Sequence, residues 1–205
     1  MNFLDKIRKL YMDNENISIY IRDNPSFCRQ HNISNSDAIA LSYDIQAGSY
    51  VKGFYENYAR SIQLNGFIAE VMARNGVFDH FKNFNCTPTI CDLGTGEGTN
   101  FISFLNAVRQ EYDLNFASYG MDISLSRLDV AESFVSIEGD CKAPKFFLGD
   151  LTALPLTDNS IDICTTVGSV EANRGSESKI LKEITRVAKE YIVFTEAIYE
   201  TSDKK

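Results

Sequence analysis

Three glycines in five positions, Gly94, Gly96 and Gly98 in the stretch CDLGTGEGT (Cys91 to Thr99), follow an acidic residue and the short apolar lead-in TPTI. The chain has only 12 glycines in 205 residues, so this cluster marks a place where the backbone needs them. Glycine weakens strands and helices and is favoured where the chain turns tightly or lets another body approach its backbone. An apolar run, a glycine turn and the helical pattern GTNFISFLNAVRQ together make the opening of a strand–loop–helix unit, with the helix amino terminus facing whatever approaches.

The pattern after Pro88 repeats that unit. TICDL reads as a strand, FASYGMD as a second, PKFFLGD as a third, SIDICTTVGS as a fourth and YIVFTEA as a fifth. Between them lie the helical stretches GTNFISFLNAVRQ, SLSRLDVAESFVS, capped by Ser124, and SESKILKEITRVAKE. Strands separated by helices of this length predict βαβ units with right-handed crossovers, hence an α/β, Rossmann-like, doubly wound and mainly parallel sheet covered on both faces. Upstream, FLDKIRKLYM spaces its apolar residues on one helical face, ISIYI reads as a strand, and Asp23 to Asp37 are polar. From Tyr50 to Ala73 the apolar residues Phe54, Tyr58, Ile62, Phe67, Ile68 and Val71 recur at helical spacing, and Gly66 predicts that the stretch divides into two helices. Residues 1–50 are therefore expected to be an irregular, partly helical extension or lid, and residues 51–205 the ligand-binding domain. No internal repeat or low-complexity linker interrupts this arrangement.

Charge and cysteine usage narrow the function. Lysine and arginine number 20 against 28 aspartates and glutamates, a formal net charge of −8. No run of basic residues offers a phosphate-tracking surface, which speaks against a nucleic-acid partner. The 5 cysteines form no C-x-x-C, and Cys28 with His31 supplies only two of the ligands that a tetrahedral zinc site needs, so no metal is expected. Scattered unpaired thiols suit a reducing compartment. The amino terminus mixes charges throughout, and no apolar run approaches the roughly 20 residues of a membrane span. A cytoplasmic location is the expectation.

Asp92, Asp122 and Asp150 fall at or just beyond the ends of the first three strands, the rim where open α/β sheets bind ligands. A dinucleotide loop would read G-x-G-x-x-G, but here the third glycine comes one place early and Thr99 fills its slot. Asp92, two residues before Gly94, would repel a pyrophosphate and suit a ligand with positive charge. S-adenosylmethionine, with an ammonium, a sulfonium and no phosphate, has that character.

These segments resemble the class I S-adenosylmethionine-dependent methyltransferases over roughly Tyr43 to Glu200. CDLGTGEG is similar to the family's first motif, YGMDIS to its second-strand acid, and FFLGDLTALPLTDNSIDICTTVGSVE to its third-to-fourth-strand segment. The resemblance implies that Gly94, Gly96 and Gly98 pass close to the methionine part and ribose. It implies that Asp122 accepts both ribose hydroxyls, that Asp150 and Leu151 read the adenine, that Ile123 packs on it, and that Gly168 faces the amino-acid end. SYDIQAGSY resembles the helix that closes over the cofactor and nominates Tyr43 and Tyr50, which read equally as lid-packing residues. The family's sheet continues past the fifth strand, whereas here the sequence stops soon after it. The apolar run Tyr191 to Phe194 reads as buried on both faces, so its bare edge predicts either a longer chain or a homo-oligomer joined there.

The expected activity is methyl transfer by in-line displacement to a small-molecule or glycan-type acceptor. Glu171, in GSVEAN, is the candidate base, with Asn173 and Arg174 beside it; the same residues also read as the solvated start of a helix. His31 and His80 lie outside the motif region. Two other readings stand beside this one, a non-catalytic partner subunit that keeps the fold and an NAD-dependent oxidoreductase.

Overall fold

The computed structural model describes residues 2–82, 86–139, 142–173 and 175–196. Five strands, β1 (Thr89–Leu93), β2 (Ala117–Asp122), β3 (Lys145–Leu148), β4 (Ile161–Val167) and β5 (Ala188–Thr195), pair in parallel in the order β3-β2-β1-β4-β5. The order reverses between β1 and β4. The loops leaving these neighbouring strands therefore run to opposite sides and open a crevice at their carboxyl ends.

Side chains alternate across each strand, and the two faces carry separate cores. Ile90 and Ile163 point to one face, where they meet Phe101, Phe104, Phe78 and Phe81, while Cys91, Leu93 and Cys164 point to the other, against Ile180, Ile184 and Val187. The first face is covered by α6 (Tyr58–Arg74), α7 (Val77–Lys82) and α8 (Thr99–Tyr112), and the second by α10 (Glu177–Val187). Helix α9 (Leu125–Glu138) links β2 to β3 and starts at Ser124, whose hydroxyl accepts from the Arg127 amide at 3.2 Å.

β5 starts earlier than the apolar run suggested, because Ala188 already pairs with Ile161. Its burial is also shallower than expected. Tyr191 and Val193 pack on one core and Ile192 on the other, but each is only half-buried, and Phe194 is 44 % exposed. Among the described residues β5 pairs on one side only, so one flank of each side chain lacks the neighbour an interior strand would supply.

The amino-terminal residues are more regular than their sequence implies. They form α1 (Phe3–Met12), α2 (Ile17–Asp23), α3 (Pro25–Gln30) and α4 (Asn35–Ile45), followed by α5 (Ser49–Glu56). ISIYI lies in α2, not in a strand. The Asn16 side chain accepts from the Ile19 amide at 3.0 Å, and the helix buries Ile21 against Phe27, Cys28 and Ala38. One-sided burial of a capped turn outweighs the strand preference of the β-branched residues. The predicted division of the Tyr50–Ala73 region is present, but it falls at Asn57, whose side chain donates to the Gly53 carbonyl and ends α5. Gly66 sits inside α6.

Candidate functional site

The crevice at the strand ends is a cleft lined by Gly94, Asp122, Ile123, Asp150, Leu151 and Gly168, roofed by Tyr43 and Tyr50 from the amino-terminal layer. With Asn173, nine of the residues singled out from the sequence thus meet around one space.

The glycine loop is stitched to β2. The amides of Gly94 and Thr95 both donate to the Met121 carbonyl at 2.8 Å, and the Gly96 amide donates to Asp122 Oδ2 at 2.8 Å. The other oxygen, Oδ1, accepts from the Ser124 amide at 2.9 Å. Asp122 is thereby fixed on the cleft wall, and since a carboxylate has about four lone-pair sites, both oxygens keep capacity for a ligand's hydroxyls. Gly94 has φ +81°, and a Cβ there would lie 2.4 Å from the Ser169 Cβ, so only glycine lets the loops after β1 and β4 approach this closely. Gly168, at φ +64°, is different: a Cβ there would meet nothing within 4 Å, so its backbone borders open space that a ligand can fill. Gly98 is the N-cap of α8 and faces Ala131 and Phe146, outside the cleft lining.

Asp92 does not line the cleft. It is buried beneath the glycine loop, where Oδ1 accepts from the Thr165 hydroxyl at 2.7 Å. Burial pushes its carboxyl up to about 6, against the counter-pull of that hydrogen bond. The folded chain therefore holds a proton between pH 3.8 and about 6 that the unfolded chain has lost, and stability falls as pH rises through that window. Asp92→Asn keeps an acceptor for Thr165 and removes the buried charge. It is expected to raise stability at pH 7.5 by about 3 kcal/mol, a gain that closes as pH approaches 4. Urea unfolding at several pH values checks this; a gain that does not grow with pH contradicts it.

Asp150 is held by the amino-terminal layer. Burial alone would raise its carboxyl, but the Ser36 hydroxyl, donating to Oδ2 at 2.6 Å, and the Thr152 amide, donating to Oδ1 at 2.7 Å, bring it below the ordinary value. Two further ties fix the same layer. Asp44 Oδ1 accepts from the Ser124 hydroxyl at 2.6 Å and the Ser126 amide at 3.1 Å, and Glu97 accepts from the amides of Gly48 at 2.9 Å and Val51 at 2.7 Å. The guanidinium of Arg127 lies 3.9 Å from Glu97 and over the rings of Tyr43 and Tyr50, at 4.8 and 4.3 Å from their centroids. Arg127 is 7 % exposed, lines the cleft, and its Nε lacks a hydrogen-bond partner among the described residues. An orphaned donor in the wall of a cleft fits a ligand that supplies an acceptor.

On the opposite wall, the loop after β4 is shaped by Glu196 at the end of β5. Its carboxylate accepts from the Thr166 hydroxyl at 2.8 Å and from the successive amides of Ser169, Val170 and Glu171 at 3.2 to 3.3 Å. This nest presents Gly168, Glu171 and Asn173 to a second cavity of about 550 Å³, which adjoins the cleft. The two spaces share Ile39, Tyr43, Tyr50, Gly168, Ala172 and Asn173. Glu171 is exposed on that rim. Arg174 lies outside the described residues. His31 packs edge-on against Phe3 and Phe27, and His80 packs on Phe81 and Tyr191; neither lines the cleft or the second cavity. Among the described residues no group of acids, histidines and cysteines is placed to hold a metal, and no helix is long and apolar enough to cross a membrane.

Glu97, Arg127, Asp44, Ser36 and Glu196 were not singled out from the sequence. Only Glu97 carried a local signal, as an acid inside the glycine loop. The others act on partners far away in the chain, up to 114 residues for Ser36 and Asp150.

Residues 90–191 match a family described as a methyltransferase domain. No curated protein matches the chain. Among solved structures, one described as an S-adenosyl-L-methionine-dependent methyltransferase from Methanococcus maripaludis is 21 % identical, with a TM-score of 0.50 over 70 % of this chain and 61 % of that one. A complex of the Haloferax volcanii Trm112 methyltransferase activator with a methyltransferase is 21 % identical, with a TM-score of 0.48 over 72 % and 55 %. The chain thus spans 55 to 61 % of the length of these two structures.

Proposed function

We propose, from the premise that residues 90–191 form a methyltransferase domain on the class I α/β fold, that the protein binds S-adenosylmethionine in the cleft and methylates a small polar acceptor held in the adjoining cavity. The observation that carries this reading is the continuity of two spaces: a narrow cleft bordered by Asp122, Asp150 and the bare backbone of Gly168, opening into a polar chamber of about 550 Å³. That volume lies in the range of small-molecule sites, about 300–1,000 Å³. The activity, the acceptor and any partner of the whole protein belong to the same proposal.

The cofactor brings its own activated methyl group, so the protein's task is to bind, orient and exclude water. Asp122 accepts the ribose hydroxyls. The Asp150 carboxylate and the Leu151 amide read the adenine edge, with Ile123 on its face. Tyr43, Tyr50 and Arg127 close the roof. Gly168 lets the amino-acid end lie against backbone. Glu171, on the chamber side of the same loop, takes the proton of a hydroxyl acceptor.

Calorimetry with S-adenosylmethionine, S-adenosylhomocysteine and NAD tests the reading. Both sulfur ligands are expected to bind more tightly than NAD, and the reverse order would replace this reading with the oxidoreductase one. Labelled methyl transfer to any member of a pool of small hydroxylated compounds separates an enzyme from a partner subunit that only binds.

A further inference from the structure

We propose that the part of the chamber lined by Arg22 and Asn35, neither of which borders the cleft, is an anion subsite, in which Arg22 receives a carboxylate or phosphate group of the methyl acceptor. The proposal rests on the reading of the chamber as the acceptor site and narrows it to one substrate class: small hydroxylated anions.

Arg22 stands near the end of α2 and lines the chamber. Its Nε donates to Asp23 Oδ1 at 2.9 Å, and its two Nη groups make no hydrogen bond among the described residues. The side chain is 36 % exposed, half-sheltered by the cavity wall. A partly exposed pair of this kind adds little stability. What it does is geometric: with Nε held, the plane of the guanidinium is set and its outer donors are left as a fork, the shape that binds carboxylate and phosphate in bidentate fashion.

The surroundings agree. Arg22 is the one basic residue among the described residues of the chamber lining. Asn35, also in the lining, is the first residue of α4, an 11-residue helix, so the positive end of that helix lies at this wall. The acid of its first turn, Asp37, is tied to the Ser34 hydroxyl at 2.6 Å and borders a separate groove with Phe3 and His31. The chamber's acids are divided: Asp23 is occupied by Arg22, while Glu171 belongs to the loop of Gly168 and Ala172, which border both cavities. An acceptor with its anionic group on Arg22 would thus turn its opposite, hydroxyl-bearing end toward Glu171 and the cleft.

The test uses the full chain, isotope-labelled and saturated with S-adenosylhomocysteine, titrated with sodium phosphate or sodium acetate at constant ionic strength set by chloride. The Arg22 Nε–H signal is expected to shift saturably with at least one of the two anions, while that of Arg60, outside the chamber lining, stays still. A response to phosphate alone points to phosphate esters, and a response to acetate as well points to carboxylates. In Arg22→Gln the affinity read from the Tyr43 and Tyr50 ring signals should fall at least tenfold, and Arg22→Lys should keep part of it. No saturable shift at Arg22, or unchanged affinity in folded Arg22→Gln, overturns the proposal. Calorimetric failure to bind S-adenosylhomocysteine is a separate outcome that sinks the cofactor reading, because the anion titration reads Arg22 with or without it.

Discussion

Glu97→Ala is expected to destabilise the fold by about 3–5 kcal/mol, the range seen when one partner of a buried ion pair is removed. The Glu97 side chain has no solvent exposure, and its two oxygens serve the amides of Gly48 and Val51 at the start of α5. The mutation orphans both amides. It also strips the buried Arg127 guanidinium of its nearest counter-charge, 3.9 Å away, leaving it the faces of two tyrosines. Aromatic faces return only about 0.5–2 kcal/mol of such a loss. Urea unfolding of the wild type beside Glu97→Ala and Glu97→Gln measures the effect. The glutamine variant should fall between the other two, since it keeps one acceptor and loses the charge. A Glu97→Ala protein within about 1 kcal/mol of wild type would mean that water replaces the carboxylate at no cost, and that the site is wetter than its burial indicates.

Asp122→Ala should weaken S-adenosylhomocysteine binding by more than tenfold. Hydrogen bonds to a charged group contribute about 1.5–3 kcal/mol each, and losing even one of two crosses the 1.4 kcal/mol that separates decades of affinity. The same carboxylate accepts from the amides of Gly96 and Ser124, so the variant also unpins the glycine loop from the start of α9. The two effects are separable. Asp122→Asn keeps a neutral acceptor for one of those amides and should recover more stability than affinity. A folded Asp122→Ala protein that binds within twofold of wild type would place the ribose elsewhere in the cleft.

The parts of this architecture that were legible in the sequence are those whose causes are local. Each strand announced itself by a short apolar run, and Ser124 and the glycine turn marked the starts of α9 and α8. The strand-end acids Asp122 and Asp150 could be placed on the rim because strand order alone puts them there. ISIYI misled because its β-branched residues favour strands and outweighed the one local helix signal, the Asn16 cap, while the packing of Ile21 on Phe27 and Ala38 leaves no mark in the stretch itself. Asp92 was legible as an acid at a strand end but not in its direction, which the long-range bond to Thr165 decides. The nest around Glu196 and the roof held by Ser36, Asp44 and Glu97 stayed hidden for the same reason: each partner is remote in the chain, and a single sequence carries no sign of the pairing.

The fastening of that roof also bears on how the chain can be divided. Helices α1 to α4 have a small core of their own around Ile21 and Phe27, and a cut near residue 50 would leave the sheet and its two cores intact. The cleft would not survive it. Ser36 holds Asp150, Asp44 holds Ser124, and Tyr43 covers Arg127, so residues before the cut complete walls built after it. Neither piece owns the cleft. Two segments that differ in fold share one cleft, and a fragment of either would carry only part of its walls.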